Sequence, residues 1–289
     1  MRKCYWKEDD QLTSVTIGKF DGFHMGHQKL LKELLDTGAD ETVVCKIDLP
    51  GPGLLTRREQ DAFLAGFGID RLVRIPFTGE FARQTPEEFV RTILVEKLKA
   101  AHVIVGEDFR FGHQRTGTVE TLKKLGDKYG FIVHPTEKLQ MDGSVVSSTR
   151  IRTALEEGRI EVAEHLLGHP ICYDGVVSHG RQLGRTIGFP TLNLCPNEEK
   201  LLPRFGVYAS LVTTPEGEYS AVTNIGKRPT VNDGESITIE SNLLHFSGDL
   251  YDRQISVRLK SFIRPEQKFE TVEALREQMK KDLLFFDFT

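Results

Sequence analysis

Short apolar runs alternate with helical patterns from about residue 14 to residue 135, and this alternation is the strongest constraint on the fold. The candidate strands are 14–17, 42–47, 71–75, 102–105 and 131–134, and the candidate helices between them are 28–35, 57–67, 86–99 and 119–129. Such an order predicts βαβ units and a parallel sheet that is covered by helices on both faces. Ligands of these sheets bind beyond the carboxyl ends of the strands, so a site is expected in the loops that follow them.

Two of these helices carry end signals in the sequence. Thr85 can cap the helix at 86–99, Pro86 suits its first position, and Glu88 completes a capping box. Gly130 follows the helix at 119–129 and is typical of a helix stop.

The pattern changes near residue 168, after two short candidate helices at 149–157 and 161–167. From 171 to 263 the chain reads as strands broken by Gly, Pro, Asn and Asp, with the clearest at 207–213, 220–222, 237–244 and 254–259. This predicts an antiparallel sheet or small barrel. A last helix at 271–283 places Val272, Leu275 and Met279 on one stripe, which we expect to cover a barrel face. We therefore predict two domains, residues 1–168 and 169–289.

Composition narrows the class of protein. The net charge is −4 over 289 residues, which does not favour nucleic acid or an anionic membrane as a partner. The four cysteines are far apart and form no Cys-x-x-Cys, which argues against zinc and against a disulfide framework. The N-terminal residues do not resemble a signal peptide, and no apolar run is long enough to span a bilayer. We expect a cytoplasmic protein, and its oligomeric state stays open.

The loop at 18–28 is the most specific single feature, because it places two histidines three residues apart between a strand and a helix. Glycines let the backbone approach a ligand, and the helix start offers unpaired N–H groups and a positive dipole end, which suits a polyphosphate. His24 and His27 can add hydrogen-bond donors, and positive charge when protonated. By itself, a pair of loop histidines beside a glycine turn is also an ordinary structural feature.

Two further segments could meet the same nucleotide. Asp108 follows the strand at 102–105, and Ser147, Ser148, Thr149 and Arg152 open the helix at 149–157, where hydroxyls and arginines can hold an anion. Taken singly, Ser-Ser-Thr is a good helix cap and Asp108 is a turn residue.

The second half has its own glycine-rich segment, residues 175–193, in which arginines lie near the glycines. Its backbone amides could face an anion, although no Gly-Lys-Ser/Thr follows and it is not a Walker A loop. Glycine richness alone would indicate only turns. Glu240, on a candidate strand, would by alternation alone be an exposed strand glutamate.

The strings Gly-x-Phe-Asp-Gly-x-His-x-Gly-His at 18–27 and Gly-Phe-Pro-Thr-x-Asn at 188–193 resemble the signatures of the bacterial riboflavin kinase/FAD synthetase family. The resemblance covers roughly residues 14–283, including the segments around Asp108, Glu240 and Arg264. It implies an α/β Rossmann-like nucleotidylyltransferase domain, followed by a six-stranded antiparallel β-barrel riboflavin kinase domain with a C-terminal helix.

The resemblance also implies two reactions. Riboflavin and ATP would give FMN and ADP, and FMN with a second ATP would give FAD and pyrophosphate, with Mg²⁺ as cofactor. The implied catalytic residues are Glu240, as the base of the kinase, and His24 and His27, for adenylylation. The implied nucleotide contacts of the first domain are Gly18, Phe20, Asp21, Gly26, Asp108, Ser147, Ser148, Thr149 and Arg152. Those of the kinase are Gly180, Arg181, Gly184, Arg185, Gly188, Pro190 and Arg264, with Thr191 and Asn193 as Mg²⁺ ligands.

One segment departs from the family pattern. The family usually has Phe-x-Pro-His-Pro after its second strand, whereas this chain reads Cys-Lys-Ile-Asp-Leu-Pro-Gly-Pro-Gly at 45–53, with no histidine. This keeps two alternatives open: an enzyme with one activity, more plausibly the kinase, and a flavin-binding regulator without turnover. A nucleotidylyltransferase for another phosphate would leave the second domain unexplained.

Overall fold

The computed structural model describes residues 12–178, 190–229 and 235–284. The chain divides between Ser148 and Thr149 into two compact units.

The first unit is built on a five-stranded parallel sheet with the order β3-β2-β1-β4-β5. Its strands are β1 (Thr13–Gly18), β2 (Glu41–Asp48), β3 (Arg71–Pro76), β4 (Ala100–Gly106) and β5 (Ile132–Thr136). The order reverses between β1 and β4, which is the topological switch point of a doubly wound fold. A short hairpin, β6 (Gln140–Met141) and β7 (Ser144–Val145), follows the sheet.

The described residues of this unit, from residue 12 on, form five α-helices and one π-helical segment. They are α1 (Met25–Leu35), α2 (Arg57–Phe67), α3 (Gly79–Arg83), α4 (Pro86–Phe89), the π-helix Val90–Lys97 and α5 (Val119–Tyr129). The predicted capping box of Thr85 and Glu88 is confirmed, and Gly130 ends α5 in the left-handed conformation, as predicted. The helix predicted at 86–99 is α-helical only in its first turn. The wider π turn keeps Val90 and Leu94, spaced by four residues, buried against the sheet.

Both faces of the parallel sheet are buried, as the alternation predicts. Cys45 of β2 packs into one apolar cluster, with Val15 and Val103, whereas its neighbour Val44 packs into another cluster with Leu31 of α1. Successive side chains of a strand point to opposite faces, so these residues bury two separate layers of apolar surface.

The second unit is a six-stranded antiparallel sheet with the order β8-β13-β10-β11-β12-β9. Its strands are β8 (Cys172–Val176), β9 (Leu192–Leu194), β10 (Gly206–Thr214), β11 (Gly217–Pro229), β12 (Glu235–Leu243) and β13 (Gln254–Arg264). An isolated bridge between Ser178 and Asn193 joins the two end strands. The sheet is therefore a near-closed barrel. Inside it, the buried hydroxyls of Ser210, Thr223 and Ser241 bond in series at 2.6 and 2.8 Å.

The described part of the chain has three helices after the first unit's sheet: α6 (Ser148–Glu156), α7 (Ile160–Leu167) and α8 (Val272–Leu283). The prediction that Val272 belongs to a buried stripe of α8 is wrong, since Val272 is 54% exposed. The buried residue of α8 is Asp282, which accepts two hydrogen bonds from Arg264 at 2.9 and 2.8 Å. A charged pair therefore anchors this helix to the end of β13.

Candidate active sites

The loop after β1 has a backbone that the packing of two aromatic rings holds in place. Phe20 and Phe23 have φ angles of 46° and 42°, in the left-handed region that is unfavourable for such residues. Both side chains are fully buried, and their rings stack with centroids 5.7 Å apart. The loop therefore presents its histidines from a rigid frame.

His24 caps helix α1, because its Nδ1 accepts a hydrogen bond of 3.3 Å from the backbone N–H of His27. Since Nδ1 is an acceptor, the proton of the neutral imidazole lies on Nε2, which is left as a donor. The two rings stack with centroids 3.6 Å apart. A Cβ on Gly26 would lie 3.3 Å from the His24 ring, so the glycine makes room for this pair.

Burial sets the charge of both histidines. Desolvation lowers the pKa of His24 to about 4, although the charge of Asp21 acts in the opposite direction. Desolvation and the neighbouring His24 also hold the pKa of His27 well below its usual value. Near pH 7 both rings are neutral, so they offer hydrogen-bond donors rather than positive charge. Among the described residues the buried Nδ1 of His27 has no hydrogen-bond partner.

The structure brings the predicted segments of the first unit together. The carbonyl of Asp21 accepts from Ser148 Oγ at 3.1 Å, and a Cβ on Gly26 would lie 3.7 Å from the Val146 carbonyl. Asp21 Oδ1 accepts from the N–H of Leu54 at 2.8 Å, and Leu54 directly follows the altered segment at 45–53. Thr149 and Arg152 lie on α6, beyond the division between the units, and their contact with a nucleotide stays a prediction.

A cavity of about 640 Å³ opens beside this loop. Gly18 and Lys19 line it, together with Asp108, which pairs with Lys138 at 2.7 Å. Five phenylalanines form most of its apolar wall: Phe77, Phe81, Phe89, Phe109 and Phe111. The rings of Phe109 and Phe111 stack, whereas Phe81 meets Phe89 edge to face. Flat aromatic walls of this kind suit a planar ligand.

The candidate residues of the second unit lie across neighbouring strands of the barrel. Asn193 of β9 is the register partner of Glu240 of β12, which in turn pairs with Asn224 of β11. Residues that are directly opposite in antiparallel strands have Cβ atoms about 4.5–5.5 Å apart. Ile239 and Ser241, on either side of Glu240, are buried in the interior, so Glu240 faces the outside of the barrel.

Thr191 lies two residues before Asn193, whose Nδ2 donates to the Thr191 carbonyl at 3.5 Å. The carbonyl of Pro190 accepts from Asn242 Nδ2 at 2.7 Å, which fixes the start of β9. A cavity of about 250 Å³ is lined by Pro190 and Thr191 and by residues 246–251. One of the two predicted metal ligands, Thr191, therefore lines a small pocket.

Glu266 is a carboxylate that the sequence did not single out. Its Oε1 accepts from Asn224 Nδ2 at 3.3 Å, beside the Asn224–Glu240 pair. A Cβ on Gly226 would overlap the Glu266 carboxylate, which gives a reason for glycine there. Glu266 lies in the segment around Arg264 that carries the resemblance, but a glutamate in a loop without strand periodicity gives no sign of a specific role.

Other predicted kinase residues have different outcomes. Arg264, predicted as a ligand contact, is occupied by its pairing with Asp282 and also lies over the Phe269 ring, 5.8 Å from its centroid. Its contact with ATP or flavin stays a prediction. The remaining predicted contacts lie outside the described residues, and they are Gly180, Arg181, Gly184, Arg185 and Gly188.

The donor set at the barrel site fits a hard cation. Thr191, Asn193 and Glu240 offer hydroxyl, amide and carboxylate oxygens, the ligands that Mg²⁺ takes in proteins. In the described part of the chain no three or more His, Cys, Asp or Glu residues cluster as a metal site. Mg²⁺ commonly uses one or two protein groups and the phosphates of a substrate, so it fits this sparse set.

No helix in the described ranges is both long and apolar enough to cross a membrane.

Fold and sites together define a two-unit nucleotide-transfer protein: a Rossmann-like nucleotidyltransferase unit, then a near-closed antiparallel barrel with a C-terminal helix. Comparison with family models matches FAD synthetase over residues 6–150 and riboflavin kinase over residues 167–286. A bifunctional riboflavin kinase/FMN adenylyltransferase of Escherichia coli K12 is 39% identical, over 95% of this chain and 93% of that protein. A protein of the same description from Pseudomonas fluorescens is 37% identical, over 93% and 90%. This chain belongs to the bifunctional riboflavin kinase/FMN adenylyltransferase family.

A solved structure shares the fold over both units. The crystal structure of a Streptococcus pneumoniae protein, described as a macrolide-efflux protein, superimposes with a TM-score of 0.84 at 31% identity. The match covers 94% of this chain and 92% of that one. The description as a macrolide-efflux protein is that of the Streptococcus pneumoniae protein and is not applied to this chain.

Proposed function

We propose that this chain makes FAD in two ATP-dependent steps, phosphorylation of riboflavin in the second unit and adenylylation of FMN in the first. The observation that supports the proposal is that, in each unit, the residues to which we assign the chemistry lie next to one another. Glu240 lies opposite Asn193 in the barrel, and His24 stacks on His27 at the carboxyl end of β1. A regulator without turnover would have no need of both arrangements.

In the kinase step an alcohol is the nucleophile, and an alcohol must lose its proton as it attacks. Glu240 takes this proton from the ribityl 5′-hydroxyl, whose oxygen bonds to the γ-phosphorus of ATP while ADP leaves. Thr191 and Asn193 hold Mg²⁺, which supplies stabilisation of the charge on the transferring phosphoryl group. The pocket beside Thr191 receives part of the nucleotide.

In the adenylyl step the nucleophile is already charged. A phosphate monoester has a second pKa of about 6 and is largely dianionic near neutral pH, so no general base is required. An FMN phosphate oxygen attacks the α-phosphorus of ATP, and pyrophosphate leaves. His24 and His27, as neutral imidazoles, donate hydrogen bonds to the phosphates, and the start of α1 adds its positive dipole end.

The aromatic cavity gives this unit an acceptor site. We assign the flavin ring of FMN to the space between Phe77, Phe81 and Phe109, with its phosphate directed to Gly18. Asp108, Ser147 and Ser148 are the proposed nucleotide contacts of this unit, and the nucleotide contacts of Thr149 and Arg152 stay predictions from the sequence. Leu49 of the altered segment also lines the cavity, so the departure from the family pattern does not remove this wall.

The test is the chromatography of products from two incubations with ATP and Mg²⁺, one with riboflavin and one with FMN. We expect FMN and FAD from the first and FAD from the second. FMN without FAD would leave only the kinase activity. Flavin binding without any product would make the chain a binding protein.

A further inference from the structure

Lys46 is a buried lysine at the carboxyl end of β2, and the proposed chemistry has not yet given it a role. Its register neighbours are Gly18, where the histidine loop leaves β1, and Arg74 of β3. Ile47 lines the aromatic cavity, so Lys46, the preceding residue, points to the opposite face of the sheet. That face also carries Phe20, whose ring lies 5.0 Å from the ring of His27.

Lys46 belongs to a cluster of charges at the ends of β2 and β3. Its Nζ lies 2.5 Å from Asp48 Oδ1, with the two side chains only 10% and 19% exposed. Arg57 approaches the other Asp48 oxygen at 3.7 Å, and Arg74 pairs with Asp61 at 2.7 Å. These three cations face two carboxylates, so the cluster is net positive.

A buried ion pair of this kind is weak evidence of a stabilising role. Removal of two charges from water is costly, and apolar side chains of similar volume often do as well. Arg74 Nε is moreover buried without a hydrogen-bond partner among the described residues. Partly unsatisfied cations at the carboxyl edge of a parallel sheet favour an anionic ligand there.

The adenylyl site lacks fixed positive charge in its histidines, since Nδ1 of His24 is used as a backbone acceptor and the stacked rings are neutral. An acceptor that extends from the aromatic cavity to His24 has to pass the end of β1 at Gly18, which has no side chain. Lys46 lies directly beside this passage. Its ammonium group is held at Asp48, two residues further toward the same edge of the sheet.

We propose that Lys46 binds the phosphate of the acceptor FMN, which takes the place of Asp48 as its partner. This inference rests on the proposed adenylylation. It assigns to the altered segment after β2 a phosphate-binding function of its own.

Steady-state kinetics of FAD formation test the proposal with K46M, which keeps the aliphatic stem, and with K46R, which keeps the charge. For K46M we expect the KM for FMN to rise roughly tenfold to hundredfold, the loss of one charge-assisted hydrogen bond, with the KM for ATP within twofold of wild type. K46R should restore most of the affinity. FMN formation from riboflavin by the same chain is the internal control and should be unchanged.

D48N separates binding from a structural latch, because it removes the carboxylate and keeps the lysine. A phosphate-binding lysine predicts an equal or lower KM for FMN in D48N, whereas equal damage from K46M and D48N would overturn the proposal. An unchanged KM for FMN in K46M, or a rise in the KM for ATP instead, would also overturn it. If K46M does not fold by circular dichroism, K46M/D48N, which buries no charge, should show the same rise relative to D48N. If the wild-type chain makes no FAD, the proposed adenylylation itself fails, which is a distinct result.

Discussion

Glu240 lies directly opposite Asn193 in the antiparallel register of β12 and β9. The two residues are 47 positions apart in the sequence, and they carry the proposed base and the proposed metal ligand. Because both residues are fixed by strand pairing, the distance between the proposed base and the proposed metal ligand does not depend on a loop.

The first prediction concerns this base. In Glu240→Gln, FMN formation should fall by roughly 10²–10⁴, the usual contribution of a general base, because an amide cannot take the hydroxyl proton. FAD formation from added FMN should persist, and product chromatography would measure both. Loss of both activities in a folded variant would contradict separate sites.

Removal of His27 should have the opposite selectivity. In His27→Ala the rate of FAD formation should fall by roughly 10²–10³, as for the loss of one preorganised donor to a developing charge. Phosphorylation of riboflavin should be unaffected. His165→Ala, on α7 of the second unit, is the matched control, and a His27 variant with an unchanged FAD rate would exclude this residue from the mechanism.

The buried histidine loop should make stability depend on pH. The pKa of His24 is lowered from its ordinary 6.5 to about 4, so the unfolded chain binds the proton more tightly. Stability from this residue is complete above pH 6.5 and is lost as the pH falls toward 4, by about 3 kcal/mol in total. Urea unfolding at several pH values in this range measures the effect. The free energy of unfolding should depend less steeply on pH in His24→Gln than in the wild type. An equal pH dependence in the two proteins would contradict a neutral, buried His24 ring.

The pairing of Arg264 with Asp282 can be separated from ligand binding. Arg264→Met should destabilise the chain by about 3–5 kcal/mol, because it leaves Asp282 buried without its partner. The double variant Arg264→Met/Asp282→Leu should recover most of this loss, as measured by thermal unfolding. A stable single variant with weaker ATP or flavin binding would instead support the ligand contact predicted from the sequence.

Metal dependence is expected at the barrel site. Chelation of Mg²⁺ should stop FMN formation, and Asn193→Ala should raise the Mg²⁺ concentration at half-maximal rate, because one oxygen ligand is lost. Titration of the rate with MgCl₂ measures this, and Asn197→Ala, in the turn after β9, serves as control. An unchanged Mg²⁺ requirement in Asn193→Ala would remove this residue from the metal site.

Local patterns in the sequence predicted much of this architecture. The predictions of the helix at 57–67 and of the capping box of Thr85 are confirmed, because both features depend on residues that are neighbours in the sequence. Strand β11 extends to Pro229, well beyond the predicted 220–222, because pairing with β10 and β12 overrides the poor strand propensity of Asn224 and Gly226.

Features that depend on distant residues were not predictable. Phe77 follows β3 and Phe109 follows β4, and β2 and β1 lie between these two strands in the sheet. Both rings line one cavity because of this strand order, which no local pattern gives. The ion pair of Arg264 with Asp282 was not predictable either, since an arginine near a ligand motif gives no sign of a distant carboxylate partner. Ser148 contacts the histidine loop at the Asp21 carbonyl, because Asp21 directly follows one element and Ser148 begins another at the same edge.

The bridge that nearly closes the barrel has a consequence for how its site can fail. The carbonyl of Asn193 accepts from both the N–H and the hydroxyl of Ser178, at 2.8 and 3.2 Å. The residue proposed to hold the metal is thus also the seam of the barrel. Any fluctuation that opens this bridge moves the proposed metal ligand Asn193 away from Glu240, so hydrogen exchange at the Ser178 amide would report on the fraction of molecules that are competent for phosphoryl transfer.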